Sequence, residues 1–151
     1  MPIGLRITCA AVALLATALP QTATAQGSHA GQWACQMTYT ELDPWGNRTS
    51  GFVRDYVMAI YPDGRFEAQG SLAGAAGVHQ FRSQGQWQAQ GADMIASGPE
   101  QSSDPFQMPG MQFVFTGTLQ ADGSMSYRYE QADPSGRYLM IRTLYACQRR
   151  G

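Results

Sequence analysis

The sequence contains no lysine. All ten of its basic residues are arginine, set against eleven Asp and Glu for a net charge of −1. Without a lysine amine there is no Schiff-base nucleophile and no P-loop Lys to reach a nucleotide's phosphates. Charged residues make up only 14% of the chain, against about a quarter in ordinary soluble domains. A near-neutral chain of this kind lacks the basic footprint of a nucleic-acid binder. Histidine is scarce as well, with only His29 and His79. They stand apart from each other and from any cluster of acids, short of the usual ligand count for a metal. No Gly-x-Ser-x-Gly nucleophile elbow occurs. The acids fall largely on turns, among them Asp43, Asp63, Asp122 and Asp133, where Asp side chains organise the backbone. The chain is therefore read as a non-enzyme, with no catalytic residue, no metal and no cofactor expected.

Long apolar runs are also missing, apart from one near the start. Residues 7–19 are rich in Ala and Leu and follow Arg6; Pro20 breaks the run, and Ala23-Thr24-Ala25 offers small residues for cleavage. Such a segment is a secretory signal, shorter than the roughly 20 residues a membrane-spanning helix needs. The expectation is a signal peptide over 1–25 and a single domain over 26–151, in a bacterial periplasmic or secreted protein without a transmembrane segment.

Only three cysteines are present. Cys9 lies within the signal, leaving Cys35 and Cys147 as a pair in an oxidising compartment, where disulfides persist. With no Cys-x-x-Cys spacing and no His nearby, a structural bridge between the ends of the mature chain is expected.

What the mature chain does have is alternation. In Gln80-Phe81-Arg82-Ser83-Gln84-Gly85-Gln86-Trp87-Gln88 every even position is Gln or Arg, while Phe81 and Trp87 share the other face. That pattern marks a half-buried antiparallel strand. Turn signals follow at short intervals: Asp43-Pro44-Trp45-Gly46-Asn47, Pro62-Asp63-Gly64, Ala121-Asp122-Gly123 and Asp133-Pro134-Ser135-Gly136. They divide the chain into strands near 31–41, 49–61, 64–70, 78–89, 92–98, 111–120, 124–131 and 137–148, with 98–110 as the longest loop. Gly31-Gln32-Trp33 recurs as Gly85-Gln86-Trp87, either as an echo of two four-strand halves or as reuse of hairpin grammar. Eight sequential strands predict an all-β, eight-stranded antiparallel up-and-down barrel, because closure removes exposed strand edges. A two-sheet sandwich is the alternative the pattern leaves open. The polar outward face of 80–88 excludes a transmembrane barrel, whose outer face is apolar.

Gly31-Gln32-Trp33 at the opening of the first strand resembles the lipocalin and wider calycin pattern, which pairs a Gly-x-Trp start with a basic residue late in the last strand. Arg142 is the candidate counterpart, although the alternation that turns Ile141, Tyr145 and Cys147 inward turns Arg142 outward. The chain is also similar to the small periplasmic inhibitors of secreted bacterial metalloproteases, eight-stranded barrels in which an N-terminal trunk enters the protease cleft. The corresponding segment here is 26–30.

Trp33, Tyr39, Phe52, Tyr56, Phe81, Trp87, Phe113, Tyr127 and Tyr129 belong to the expected inward set, together with several Met. An eight-stranded barrel either fills its interior or holds one small ligand. The calycin resemblance implies a non-catalytic module for a small apolar or amphipathic ligand, with Trp33, Tyr39, Trp87, Phe113, Tyr127 and Tyr129 lining or flooring the site. The alternative is a protein-binding or protease-inhibitor barrel acting through the mature N-terminus or the 99–111 loop, which displays Phe106, Met108 and Met111. Arg54, Arg65, Arg82, Arg128 and Arg137 are assigned to a solvated outer face, and His29 and His79 to the surface.

Overall fold

Strict alternation gives each strand one apolar and one polar face, and closing the sheet puts every apolar face into one interior. A computed structural model describes residues 29–105, 107–132 and 140–151. The expected signal segment 1–25, Cys9, Phe106, the turn at 133–136 and Arg137 lie outside these residues.

Eight strands follow one another: β1 (Gly31–Leu42), β2 (Arg48–Ile60), β3 (Arg65–Gly74), β4 (Gly77–Gln90), β5 (Asp93–Ser102), β6 (Gln112–Leu119), β7 (Met125–Gln131) and β8 (Met140–Arg150). Each pairs antiparallel with the next, and β1 pairs with β8, closing the barrel in the expected up-and-down order. A sandwich is therefore excluded. No helix among the described residues is long and apolar enough to cross a membrane.

Closure runs along eleven residue pairs of β1 and β8, from Gln32↔Arg150 to Leu42↔Met140. Cys35 and Cys147 face each other in this register and are joined by a disulfide, their Cα atoms 4.1 Å apart. The seam opposite is much weaker. β6 and β7 pair only through Thr118↔Ser126 and Leu119↔Met125, after which the two strands diverge. Tyr145 on β8 reaches across to donate its hydroxyl to the Val114 carbonyl at 3.3 Å.

One end of the barrel, called the floor here, is sealed. Trp33 and Trp87, the two Trp residues of the repeated Gly-Gln-Trp, are 0% and 4% exposed and lie at this same end. Their indole N–H groups donate to the carbonyls of His29 and Tyr61 at 2.9 and 2.8 Å. His29 is not at the surface as expected: it is fully buried, and its Nε2–H donates to the Ala92 carbonyl at 2.9 Å. A buried imidazole is retained because both it and its own backbone carbonyl are hydrogen-bonded.

The basic residue that meets the opening Trp is Arg149, not Arg142. Arg149 is the register partner of Trp33 on β8; its guanidinium lies 4.6 Å from the Trp33 ring centroid and donates to the Ala30 carbonyl at 2.9 Å. Arg142 sits toward the other end of β8 and bonds Glu130 at 2.6 Å. Above the floor, Phe66, Phe81, Phe113 and Phe115 fill the waist with Met58, Met94 and Met125, all at most 4% exposed.

Two strand limits also differ from expectation. β3 continues to Gly74 and turns back at Gly77, and β5 continues to Ser102 in spite of Pro99. The β4–β5 ladder skips from Gln86↔Ser97 to Ser83↔Glu100, so the N–H that Pro99 lacks falls where no ladder bond is made. Ser83 donates its hydroxyl to the Pro99 carbonyl at 3.0 Å instead.

The bridge spans 112 residues, which in the loop-entropy account contributes about 4–5 kcal/mol. Replacing both cysteines by alanine is expected to lower the unfolding free energy by that order in a urea titration followed by circular dichroism. An unchanged midpoint would show that closure does not depend on the bridge.

Candidate functional site

Position parity along β2 decides what occupies the other end of the barrel. Phe52, Tyr56, Met58 and Ile60 point inward, and Arg54 shares their parity. It does not belong to the outer face: its side chain is 8% exposed, inside the barrel. The guanidinium lies 4.9 Å from the Phe81 ring centroid and 5.7 Å from that of Phe52. From β5, Glu100 continues the inward series of Met94, Ala96 and Gly98 and meets it. Two parallel bonds join them, Nη1 to Oε2 at 2.6 Å and Nη2 to Oε1 at 3.1 Å, with the Glu100 side chain 2% exposed. Such a fork is the strongest geometry available to a carboxylate and an arginine, and only a pairing of this quality offsets the cost of removing both charges from water.

A recess of about 210 Å³ opens beside this pair, lined among others by Leu72, His79, Asp104, Met108 and Met111. The loop after β5 forms part of its rim. Gln107 donates to the Glu100 carbonyl and carboxylate at 3.5 Å, and the Glu100 N–H donates to the Met111 carbonyl at 2.9 Å. Met108 is 71% exposed at the edge. His79, expected at the surface, is half-buried and lines the recess. Among the described residues three buried polar atoms find no partner: Arg54 Nε and His79 Nε2 on residues that line the recess, and the Tyr56 hydroxyl, whose ring packs on Phe81 and Phe113. Burial, the largest influence, holds the Tyr56 phenol well above the usual tyrosine value and raises that of Tyr145.

The residues expected to line a site are not gathered in one place. Trp33 and Trp87 are plugged into the floor. Phe113 packs within the waist, edge-on to Tyr56 at 5.6 Å and close to Phe66 and Phe81. Tyr39 is near the recess end, stacked on Phe52 at 5.0 Å with its hydroxyl on Glu41 at 3.1 Å. Tyr127 and Tyr129, 36% and 42% exposed, lie along β7 where it leaves β6. The residues the prediction missed, Arg54, Glu100 and His79, share one signal: each keeps the parity of an inward aromatic or methionine two or more positions away.

Among the described residues no group of three or more His, Cys, Asp or Glu is placed to hold a metal. No protein-family model matches the chain, and no curated protein matches it either.

Removing one partner of the buried pair strands the other's charge. Glu100→Ala is expected to cost about 3–5 kcal/mol, while the double change Arg54→Met with Glu100→Leu recovers most of it; chemical denaturation of the two variants checks this. Phenols that hold their protons more tightly in the folded than in the unfolded chain favour folding below the ordinary phenol value of 10.0. That stability falls as pH rises above it. Absorbance titration should show Tyr56 ionising only with alkaline unfolding and Tyr145 above the ordinary value, so the native chain releases fewer phenolic protons near pH 10 than its seven tyrosines. Seven ionising reversibly near pH 10, with the fold intact, would contradict their burial.

Proposed function

We propose that this protein is an exported, non-catalytic binding module of calycin type that takes a small amphipathic ligand at the recess end of its barrel. The observation that carries the reading is the placing of unpartnered polar atoms beside an apolar rim. Arg54 Nε–H and the His79 imidazole offer hydrogen bonds to a polar head, while Leu72, Met108 and Met111 offer apolar contact to the rest. Buried polar groups left without partners carry a free-energy cost that a bound ligand removes. Methionines adapt their shape to what they contact. The recess is smaller than the 300–1,000 Å³ of drug-sized sites, so the ligand is small or places only its head inside.

Export rests on the leader pattern of residues 1–25, and the Cys35–Cys147 bridge fits an oxidising compartment such as the periplasm. The calycin reading draws support from Arg149 lying over Trp33, a basic residue late in the last strand against the Gly-x-Trp start. One feature favours the second reading, a protein-binding or protease-inhibitor barrel: the projecting loop after β5, with Met108 well exposed.

Native mass spectrometry of the protein purified from its own periplasm separates the two. The expected result is a co-purified mass of a few hundred daltons, lost in His79→Ala while circular dichroism is unchanged. Only the bare chain would contradict ligand binding, and a protein adduct would establish the second reading in its place.

A further inference from the structure

The recess leaves unused the feature that dominates the exterior, its row upon row of glutamine. Ladder registers show how these rows are built. Gln32 on β1 lies opposite Ala59 on β2, Ala59 opposite Glu67 on β3, and Glu67 opposite Gln84 on β4. Beside this row runs a second: Val57, Gln69, Arg82 and Gln101 on β2, β3, β4 and β5. All point out of the barrel, so two lines cross the strands side by side, with Ala59 between Gln32 and Glu67, and Val57 between Ala34 and Gln69.

The surface carrying these rows is hollowed. A cleft of about 630 Å³ lies over them, reaching Tyr61 and Arg150 at the floor end. A second hollow of about 670 Å³ shares Val57, Gln69, Arg82 and Gln101 and continues toward Ser102 and Ser103. The break in the β4–β5 ladder lies beneath. There Gly85 and Gly98 bring the two backbones together so closely that a Cβ on Gly98 would sit 2.1 Å from the Gln84 carbonyl oxygen. No residue but glycine permits that approach.

We propose that this outer cleft is a second binding site, for a neutral oligosaccharide lying across β2 to β5. Each glutamine amide offers both donors and an acceptor, the complement of a hydroxyl that does both. Gln32, Gln69 and Gln84 make no side-chain hydrogen bond among the described residues, while Arg82 is held in place by its Nε–H bond to Gln101 at 2.8 Å. The strip of Val57, Ala59 and Pro99 suits the apolar C–H face of a pyranose ring. Tyr61 closes one end with its ring fixed by the Arg65 guanidinium 5.2 Å from its centroid. Two rows spanning four strands extend about 14 Å at the usual strand spacing, the reach of a short oligosaccharide. Other polymers fit less well. β2, β3 and β4 are hydrogen-bonded on both sides, so a peptide could not add to their edges as a strand. The cleft has no series of aromatic rings on which nucleic-acid bases would stack.

Nuclear magnetic resonance of the ¹⁵N-labelled mature chain tests the proposal with maltohexaose, cellohexaose and chitohexaose, each at about 5 mM, where even a millimolar site is mostly filled. The expected result is a shift of the Gln69, Gln84 and Gln101 side-chain amides with at least one hexaose. Gln69→Ala with Gln101→Ala should weaken that binding about tenfold, the loss of roughly two hydrogen bonds, without altering circular dichroism. The site is overturned if none of the three shifts these amides, or if an extended hexapeptide shifts them when the glycans do not. Shifts confined to Met108 and Met111 would likewise overturn it and leave the recess reading standing, because the cleft that carries Gln69, Gln84 and Gln101 shares no lining residue with the recess.

Discussion

Closure of β1 onto β8 is the constraint from which the rest of the structure follows. Once the first and last strands are hydrogen-bonded, residues are sorted to the inside or the outside, and only the short β6–β7 ladder leaves strand edges to relax the choice. The Cys35–Cys147 bridge fixes this closure at the fourth of its eleven pairs, counted from the floor. Its two sulfurs also occupy interior volume, since both cysteines are at most 5% exposed. Toward the floor, the same seam sets Arg149 over Trp33 and so caps a fully buried indole.

An interior fixed this way has unequal ends. At the floor, polar atoms are satisfied locally: both indoles and His29 donate to backbone carbonyls. At the recess end, two opposite charges are buried together, and their fork satisfies most of each group while leaving the Arg54 Nε–H over. Among the described residues, two of the three buried polar atoms without a partner, on Arg54 and His79, thus belong to the recess. The outer surface meets a different requirement. It stays wet with few charges by relying on amides, and where glycine lets β4 and β5 pinch together those amides line a hollow.

Much of this was legible in the sequence, and what was not has definite physical causes. The even-numbered Gln and Arg of β4 identify its wet face without any tertiary information, and the Asp-Gly and Pro-Asp-Gly turns place the hairpins within a few residues. Arg54 is legible in principle, because its parity matches Phe52 and Tyr56, but arginine's general preference for the surface points the other way. Glu100 was hidden by Pro99, which reads as loop unless the interruption of the β4–β5 ladder is known. The exchange of Arg142 for Arg149 required the β1–β8 register, which no local pattern contains. The separation of β6 from β7 depends on how strands twist past Thr118 and Ser126, and so did the exposure of Tyr127 and Tyr129.

The central claim is that an arginine is enclosed in the barrel and turned toward the recess, held between Phe81 and Glu100. The Nε–H resonance of Arg54 tests it most directly. The account predicts a proton that exchanges slowly with water and shows nuclear Overhauser contacts to the Phe81 ring. A fast-exchanging Nε–H without those contacts would place Arg54 in solvent and contradict it.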